Sequence, residues 1–402
     1  MSSVTFREIE GRSPRYWFLL GLIALFAALG LGAAYYMEHF GHIVTGMNNS
    51  VVWGMPHVFA VFLIVAASGA LNVASIGSVF GKLMYKPLAR LSGLLAIALL
   101  AGGLTVLMLD LGRPDRLIVA MTYYNFKSVF AWNVFLYTGF FGIVAIYLWT
   151  MMEHRMNTYS KAAGMAAFIW RLILTTGTGS IFGFLVARDA YNSALLAPMF
   201  IILSFAYGLA VYLLVMIAAY TWSGRPLGDA VLQRLGRLLG VFVAAALYFV
   251  FVFHLTNLYF TKQHAVEKFI LLDGGVYTAL FWIGQIAIGG VVPMLILFNP
   301  KLRAARGLLV AACLAIIFGG LAQMYVTIIG GQAFPLDIFP GWQTRSVFFD
   351  GVVHQYTPSL PEIMLGVGGV AIALVIVTFG IKVLRFLPES LADSEIDPHA
   401  KT

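Results

Sequence analysis

His57, Asp110, Arg113, Asp115 and Arg116 are ionisable residues set at the edges of long apolar runs. The stretch Asp110-Leu-Gly-Arg-Pro-Asp-Arg116 alternates acidic and basic side chains where its surroundings are greasy. Ionisable groups at membrane depth cost several kcal/mol and usually mark a pathway or a ligand site. An unperturbed imidazole titrates at about 6.5, so His57 suits proton transfer. Asp110 would then pass protons onward or hold Arg113 in place. Plainer readings exist: Gly112 and Pro114 also make a good helix stop, and a lone histidine can satisfy a backbone carbonyl. The aromatics Trp53, Tyr123, Tyr124 and Trp132 suit a flat ring with polar ends, and a quinone head-group is one of several lipophilic molecules of that shape.

The elements that position these residues follow from composition. Of 402 residues, 61% are hydrophobic and 10% charged, and mean hydropathy is +0.90, against about 25% charged in a soluble domain. Roughly 20 apolar residues span a bilayer. Ten such runs are expected, at 16–37, 51–79, 87–109, 130–150, 164–187, 197–220, 239–260, 277–297, 308–329 and 363–384. The fold class expected is all-α integral membrane, with 1–385 the membrane domain and 386–402 a disordered, acidic cytoplasmic tail. The first run is too long for a signal-peptide core and reads as a retained helix.

Ten spans put both termini on one side. That side carries most of the Lys and Arg, whereas Arg113, Arg116, Lys127, Arg188, Lys262, Lys268 and Arg345 fall on the other. The positive-inside rule makes the termini cytoplasmic. The net charge of +8 therefore reflects orientation and gives no reason to expect nucleic acid. The outer segments include an aromatic, Pro-rich loop at 330–362 that reads as a lid or docking surface.

With that topology, His57, Asp110, Trp132, Asn133, Arg188 and His254 all arrive near the outer face, delivered by five helices. Helix 5 adds Arg171, Thr175 and Thr178 at i, i+4 and i+7, one face of a helix. That stripe is either a partial proton path or hydroxyls bonded to their own helix with an arginine snorkelling to the near surface. His57 and His254 could in principle bracket a haem, but that pairing is set aside. The single cysteine, Cys313, cannot make an internal disulfide, hold an iron–sulfur cluster or attach haem c. No metal, haem or cluster is expected in this chain, so electrons from a redox ligand would leave through another polypeptide.

The run DLGRPDR at 110–116, followed by Asn125-Phe-Lys-Ser128 and Trp132, resembles the signature of the NrfD/PsrC family. These are integral membrane subunits of polysulfide-reductase-type complexes, and the likeness extends over the whole chain. The stretches WGMPHVFAVFLIVAASGALNVASIGS, YNFKSVFAW and TTGTGSIFGFLVARDAY are similar to the DsrP-type subgroup, from a sulfite-reductase-associated complex. The resemblance implies two four-helix bundles, helices 2–5 and 6–9, with an extra helix at each end of the chain. It implies a menaquinone or ubiquinone site at the outer face of the first bundle, with the family's quinone-contacting histidine falling on His57 and Asp110 beside it. Tyr124, Trp132, Asn133 and Arg188 are the further candidates around the ring. An asparagine one turn before that histidine in the family falls here on Gly54, and Asn133 is the candidate substitute. Arg113, Asp115, Arg116 and Asn125 would form the docking surface for a periplasmic ferredoxin-like [4Fe–4S] subunit. The other partners implied are a multihaem cytochrome c, a haem b membrane subunit and a cytoplasmic iron–sulfur subunit, in a bacterial cytoplasmic membrane and in dissimilatory sulfur metabolism. The rival readings are a secondary transporter of a small anionic sulfur compound and a structural anchor without quinone chemistry.

Overall fold

The computed structural model describes residues 4–336 and 351–396. Ten helices among them are long and apolar enough to cross a bilayer. They are α1 Pro14–Phe40, α2 Met55–Ser78, α3 Leu83–Leu109, α4 Val129–Met152 and α5 His154–Gly183. The second half supplies α6 Leu196–Ser223, α7 Asp229–Tyr259, α8 Val276–Phe298, α9 Arg306–Ala333 and α10 Leu360–Val383. This is the all-α integral membrane fold that composition led us to expect. Local chemistry sets several starts. Ser13 accepts from the Tyr16 amide ahead of Pro14, Pro56 sits in the first turn of α2, and Ser359 with Glu362 forms a reciprocal capping box on α10.

Helices α2–α5 pack on one another as one bundle and α6–α9 as a second, joined mainly where α2 and α5 meet α6. α1 and α10, from opposite ends of the chain, pack together, and α10 lies on α2 and α3, so both extra helices belong to the first bundle in space. α2 is the axle: 89% of its apolar window is buried, against 17% for α1. Lipid supplies no hydrophobic drive between helices, so close backbone approach must hold them. At the bundle junction Gly69 of α2 lies directly against Ser204 and Gly208 of α6.

Residues 5–9 and 381–389 pack together at one face, here the terminal face; the opposite one is the distal face. A correction concerns the segment from 386 to 396, which is packed rather than disordered. Phe386, Leu387, Leu391 and Ile396 are buried, and the Asp393 carboxylate accepts from the Asp229 and Ala230 amides at the start of α7. Arg225 donates to the carbonyls of Arg7, Glu8 and Pro388, tying the two ends together. Residues 397–402 lie outside the described residues, as do 337–350 of the loop read as a lid.

Three stretches carry π rather than α geometry: Phe269–Asp273, Leu280–Val291 within α8, and Val326–Gly330 within α9. All three belong to the second bundle and its distal connection.

Candidate functional site

The distal end of the first bundle brings His57 and Asp110 together, 53 residues apart in sequence. His57 lies in the first turn of α2, its amide bonded to the Gly54 carbonyl, nearer the membrane edge than a helix beginning at 51 would put it. Asp110 caps the end of α3. The His57 Nδ1 and Asp110 Oδ2 are 2.6 Å apart, with side chains 14% and 1% exposed. Because Nδ1 faces the carboxylate, Nε2 is the nitrogen left for a ligand. Asp110 Oδ1 is buried with no partner among the described residues. A buried carboxylate oxygen left like this wants a donor.

Trp53 stacks on the His57 ring at 5.8 Å and 22°, and its other ring neighbours are Phe130, Phe182 and Tyr191. What fixes Trp53 comes from the far end of the sequence. The Gln332 side chain accepts from the Val52 and Trp53 amides and donates to the Trp53 carbonyl. Tyr356 donates to Glu362 and accepts from the Met55 amide. The Glu362 carboxylate also accepts from the Gly46 and Ser359 amides, although its side chain is fully buried. A side chain at Gly54 would run into the Glu362 carboxylate. The space where the resembled family carries an asparagine is therefore filled here by Glu362 and Tyr356.

The other candidates divide. Asn133 is buried; its amide donates to the Val129 and Gly177 carbonyls and so joins α4 to α5, while its Oδ1 has no partner among the described residues. Arg188 donates to the Ser50 and Gln332 carbonyls and clamps the segment before α2. Trp132 is 51% exposed and bonds the Phe126 carbonyl. With Tyr124, Phe126 and Phe135 it forms a separate aromatic patch on the rim. Arg113 and Asp115 are exposed and form a two-pronged ion pair. This pair lies outside the spanning helices, and the hydrogen bond from Arg113 lowers the Asp115 pKa from its ordinary value. Arg116 is exposed beside them, and the Asn125 side chain accepts from the Lys127 amide in a local turn.

Arg171 does not snorkel. α5 starts earlier on the terminal side than expected, so Arg171 lies near its midpoint, and it is 2% exposed. Its guanidinium donates to the Ser68 carbonyl and to Asn72 of α2, leaving Nε without a partner among the described residues. Thr175 donates within the helix to the Arg171 carbonyl and lies 2.6 Å from the Ser68 hydroxyl, and Thr178 donates to the Leu174 carbonyl. His254 does not pair with His57 across a common ligand; its Nδ1 meets Glu267 instead. Among the described residues no group of three or more His, Cys, Asp or Glu side chains could hold a metal ion.

Sequence reading passed over Gln332, Tyr356 and Glu362. The signal that could have found them is their polarity inside a loop read only for its aromatics and prolines.

The fold defines a multi-pass, all-α integral membrane protein with a buried imidazole–carboxylate pair at one end of its first bundle. Residues 43–336 match the family described as polysulphide reductase, NrfD, and the chain belongs to that family. It is 30% identical to the Hdr-like menaquinol oxidoreductase integral membrane subunit of Archaeoglobus fulgidus, over 98% of this chain and 100% of that one. It is 25% identical to the protein NrfD of Escherichia coli, over 71% of this sequence and 96% of that one. It is 22% identical to the menaquinone reductase integral membrane subunit of Nitratidesulfovibrio vulgaris, over 93% of each.

Proposed function

We propose that this chain is the quinone-reactive membrane subunit of an electron-transfer complex, exchanging protons with a menaquinone or ubiquinone head-group at His57 and Asp110. The observation that carries the reading is the buried imidazole–carboxylate pair with one ring nitrogen and one carboxylate oxygen left over. Two relatives are named for menaquinol or menaquinone chemistry over nearly the full length compared, which supports it. The residues fit such a group: His57 Nε2 and the unpartnered Asp110 Oδ1 are the atoms that would hold the head-group, and Trp53 backs the imidazole.

A bound quinone supplies two-electron, two-proton redox chemistry. The protein's part is acid/base. With Asp110 accepting from Nδ1–H, the imidazole is oriented so that Nε2 can take a proton and later release it. As Nε2 takes a proton, Nδ1–H can pass its own to Asp110 Oδ2, which makes the carboxyl the next carrier. Burial keeps bulk water from competing at the pair. Arg171, Thr175 and Thr178, joined to Ser68 and Asn72, extend a polar stripe toward the membrane midplane and form part of a proton route in this reading.

Electrons leave through partners. The exposed rim after Asp110, with Arg113, Asp115, Arg116, Asn125 and the aromatic patch, is the docking surface for a ferredoxin-like [4Fe–4S] subunit on the periplasmic side. A multihaem cytochrome c, a haem b membrane subunit and a cytoplasmic iron–sulfur subunit complete the assembly, in dissimilatory sulfur metabolism and with both termini cytoplasmic.

Titration of the assembled complex with a quinone analogue tests the reading. At one hundred times its dissociation constant the analogue should stabilise the protein by about 2.7 kcal/mol, seen as a higher thermal midpoint. No stabilisation at saturating analogue leaves only a structural anchor. Arg113→Ala with Arg116→Ala should lower the salt concentration at which the iron–sulfur subunit is lost, because exposed charge pairs are screened within about 10 Å at 0.1 M salt. Co-purification as salt-resistant as the wild type removes the docking role.

A further inference from the structure

The second bundle contains its own buried imidazole–carboxylate pair. His254 Nδ1 lies 2.7 Å from Glu267 Oε2, and Asn257 donates to Glu267 Oε1 at 2.8 Å. The Glu267 side chain is 0% exposed and that of His254 12%. Both carboxylate oxygens have a partner, and His254 Nε2 is the free nitrogen of the pair.

His254 faces a cavity of about 30 Å³ lined also by Phe281, Gln285, Gln323 and Thr327. A second cavity of about 30 Å³ shares Gln285 and Gln323 and runs on past Tyr207 to the glycines of α8 and α9. Tyr207 donates to Gln323 Oε1 at 2.8 Å, continuing the polar line inward. Each cavity has room for roughly two waters and for nothing as large as a ring. All three π segments border the first cavity, through Ile270, Phe281, Gln285, Val326 and Thr327. π turns release backbone groups from regular pairing and concentrate at functional sites. Apart from His254, no titratable side chain lines this cavity among the described residues. The lysines of the same distal segment, Lys262 and Lys268, are held at the surface by Asp189 and Asp273.

We propose that the second bundle carries a proton site of its own, in which Glu267 and His254 hold one exchangeable proton that moves through water in the two cavities toward mid-membrane. The proton enters or leaves at His254 Nε2, and water in the cavity is its immediate acceptor or donor. Glu267 takes it in turn across the Nδ1 hydrogen bond. A latch that merely fastened the 261–273 segment to α7 would need neither the cavities nor the glutamine–tyrosine line behind them. This site is separate from the His57 pair, and its test uses neither quinone nor partner subunits.

The full chain in lipid nanodiscs, carrying Asp110→Asn to silence the first-bundle carboxyl, is titrated while infrared difference spectra follow protonated-carboxyl stretching. A carboxyl band should appear and shift on deuterium exchange, and it should vanish in Glu267→Gln. Gln285→Leu with Gln323→Leu should keep the band and slow its exchange at least tenfold. A titration identical with and without Glu267→Gln overturns the proposal and leaves a latch. Should Glu267→Gln not fold, His254→Gln decides: it must move the midpoint of the band by at least one pH unit, and an unmoved midpoint is equally fatal.

Discussion

The complex carrying His57→Ala should assemble, retain its iron–sulfur partner and reduce that partner's clusters from quinol on the order of 10²–10⁴ times more slowly than the wild type. General acid/base groups contribute about that much when geometry is fixed, and the geometry here is fixed from three sides. Asp110 holds Nδ1 at 2.6 Å, Trp53 covers the ring face, and Gln332 fixes the backbone that carries Trp53. Truncation also strands the Asp110 carboxylate in a buried place, so His57→Ala with Asp110→Asn separates lost chemistry from lost stability. The double variant should melt closer to the wild type than His57→Ala does, yet remain as slow. Asp110→Asn alone should cost less than His57→Ala, because the imidazole still faces the ligand through Nε2. Wild-type cluster reduction in His57→Ala would remove this residue from the reaction.

Much of this architecture was legible because its signals are local and additive. Ten apolar runs bounded by Gly, Pro and charge give ten helices, and topology alone carries His57 and Asp110 to one end of the molecule. The misplaced boundaries have a common cause. α7 begins at Asp229, ten residues before the expected start, because Gln233, Arg234 and Arg237 lower the hydropathy of a segment whose other face is apolar. Val231, Leu232, Leu235 and Leu239 are buried there at helical spacing. The tail reads as disordered by composition, yet Leu387 and Leu391 are fully buried and Asp393 caps α7. Few apolar residues suffice when each meets a prepared surface.

The site was half legible for a different reason. His57, Asp110 and the 110–116 turn announce themselves as charge where charge is costly. Glu362 and Gln332 do the positioning from beyond position 330, and pairings at that separation leave no mark in any local window. Asn133 and Arg188 illustrate the converse: polar residues at the expected depth, but with donors engaged by neighbouring carbonyls. Depth can be read from sequence, whereas direction of aim cannot.

Gly208→Leu should be the most damaging single change to the fold, and its mechanism is steric. α2 and α6 approach so closely at the bundle junction that even a methyl group on Gly208 would be driven into the backbone of Gly69 and Ala70. The obstacle is main chain, not the movable end of a side chain, so the two bundles must separate to make room. Overpacking typically costs about 1–3 kcal/mol where side chains can shift. Here they cannot, and both bundles lose contact along the axle helix that also carries His57. Gly208→Leu should therefore lower the thermal midpoint in detergent below that of any first-bundle surface variant and reduce the yield of monodisperse protein. Gly142→Ala on α4 is the matched control, since nothing lies within 4 Å of its added methyl. In a helix interior alanine is favoured over glycine by roughly 0.5–1 kcal/mol, so that variant should be neutral or slightly more stable. Equal melting of the two variants would mean that the Gly69–Gly208 approach does not set how the bundles join.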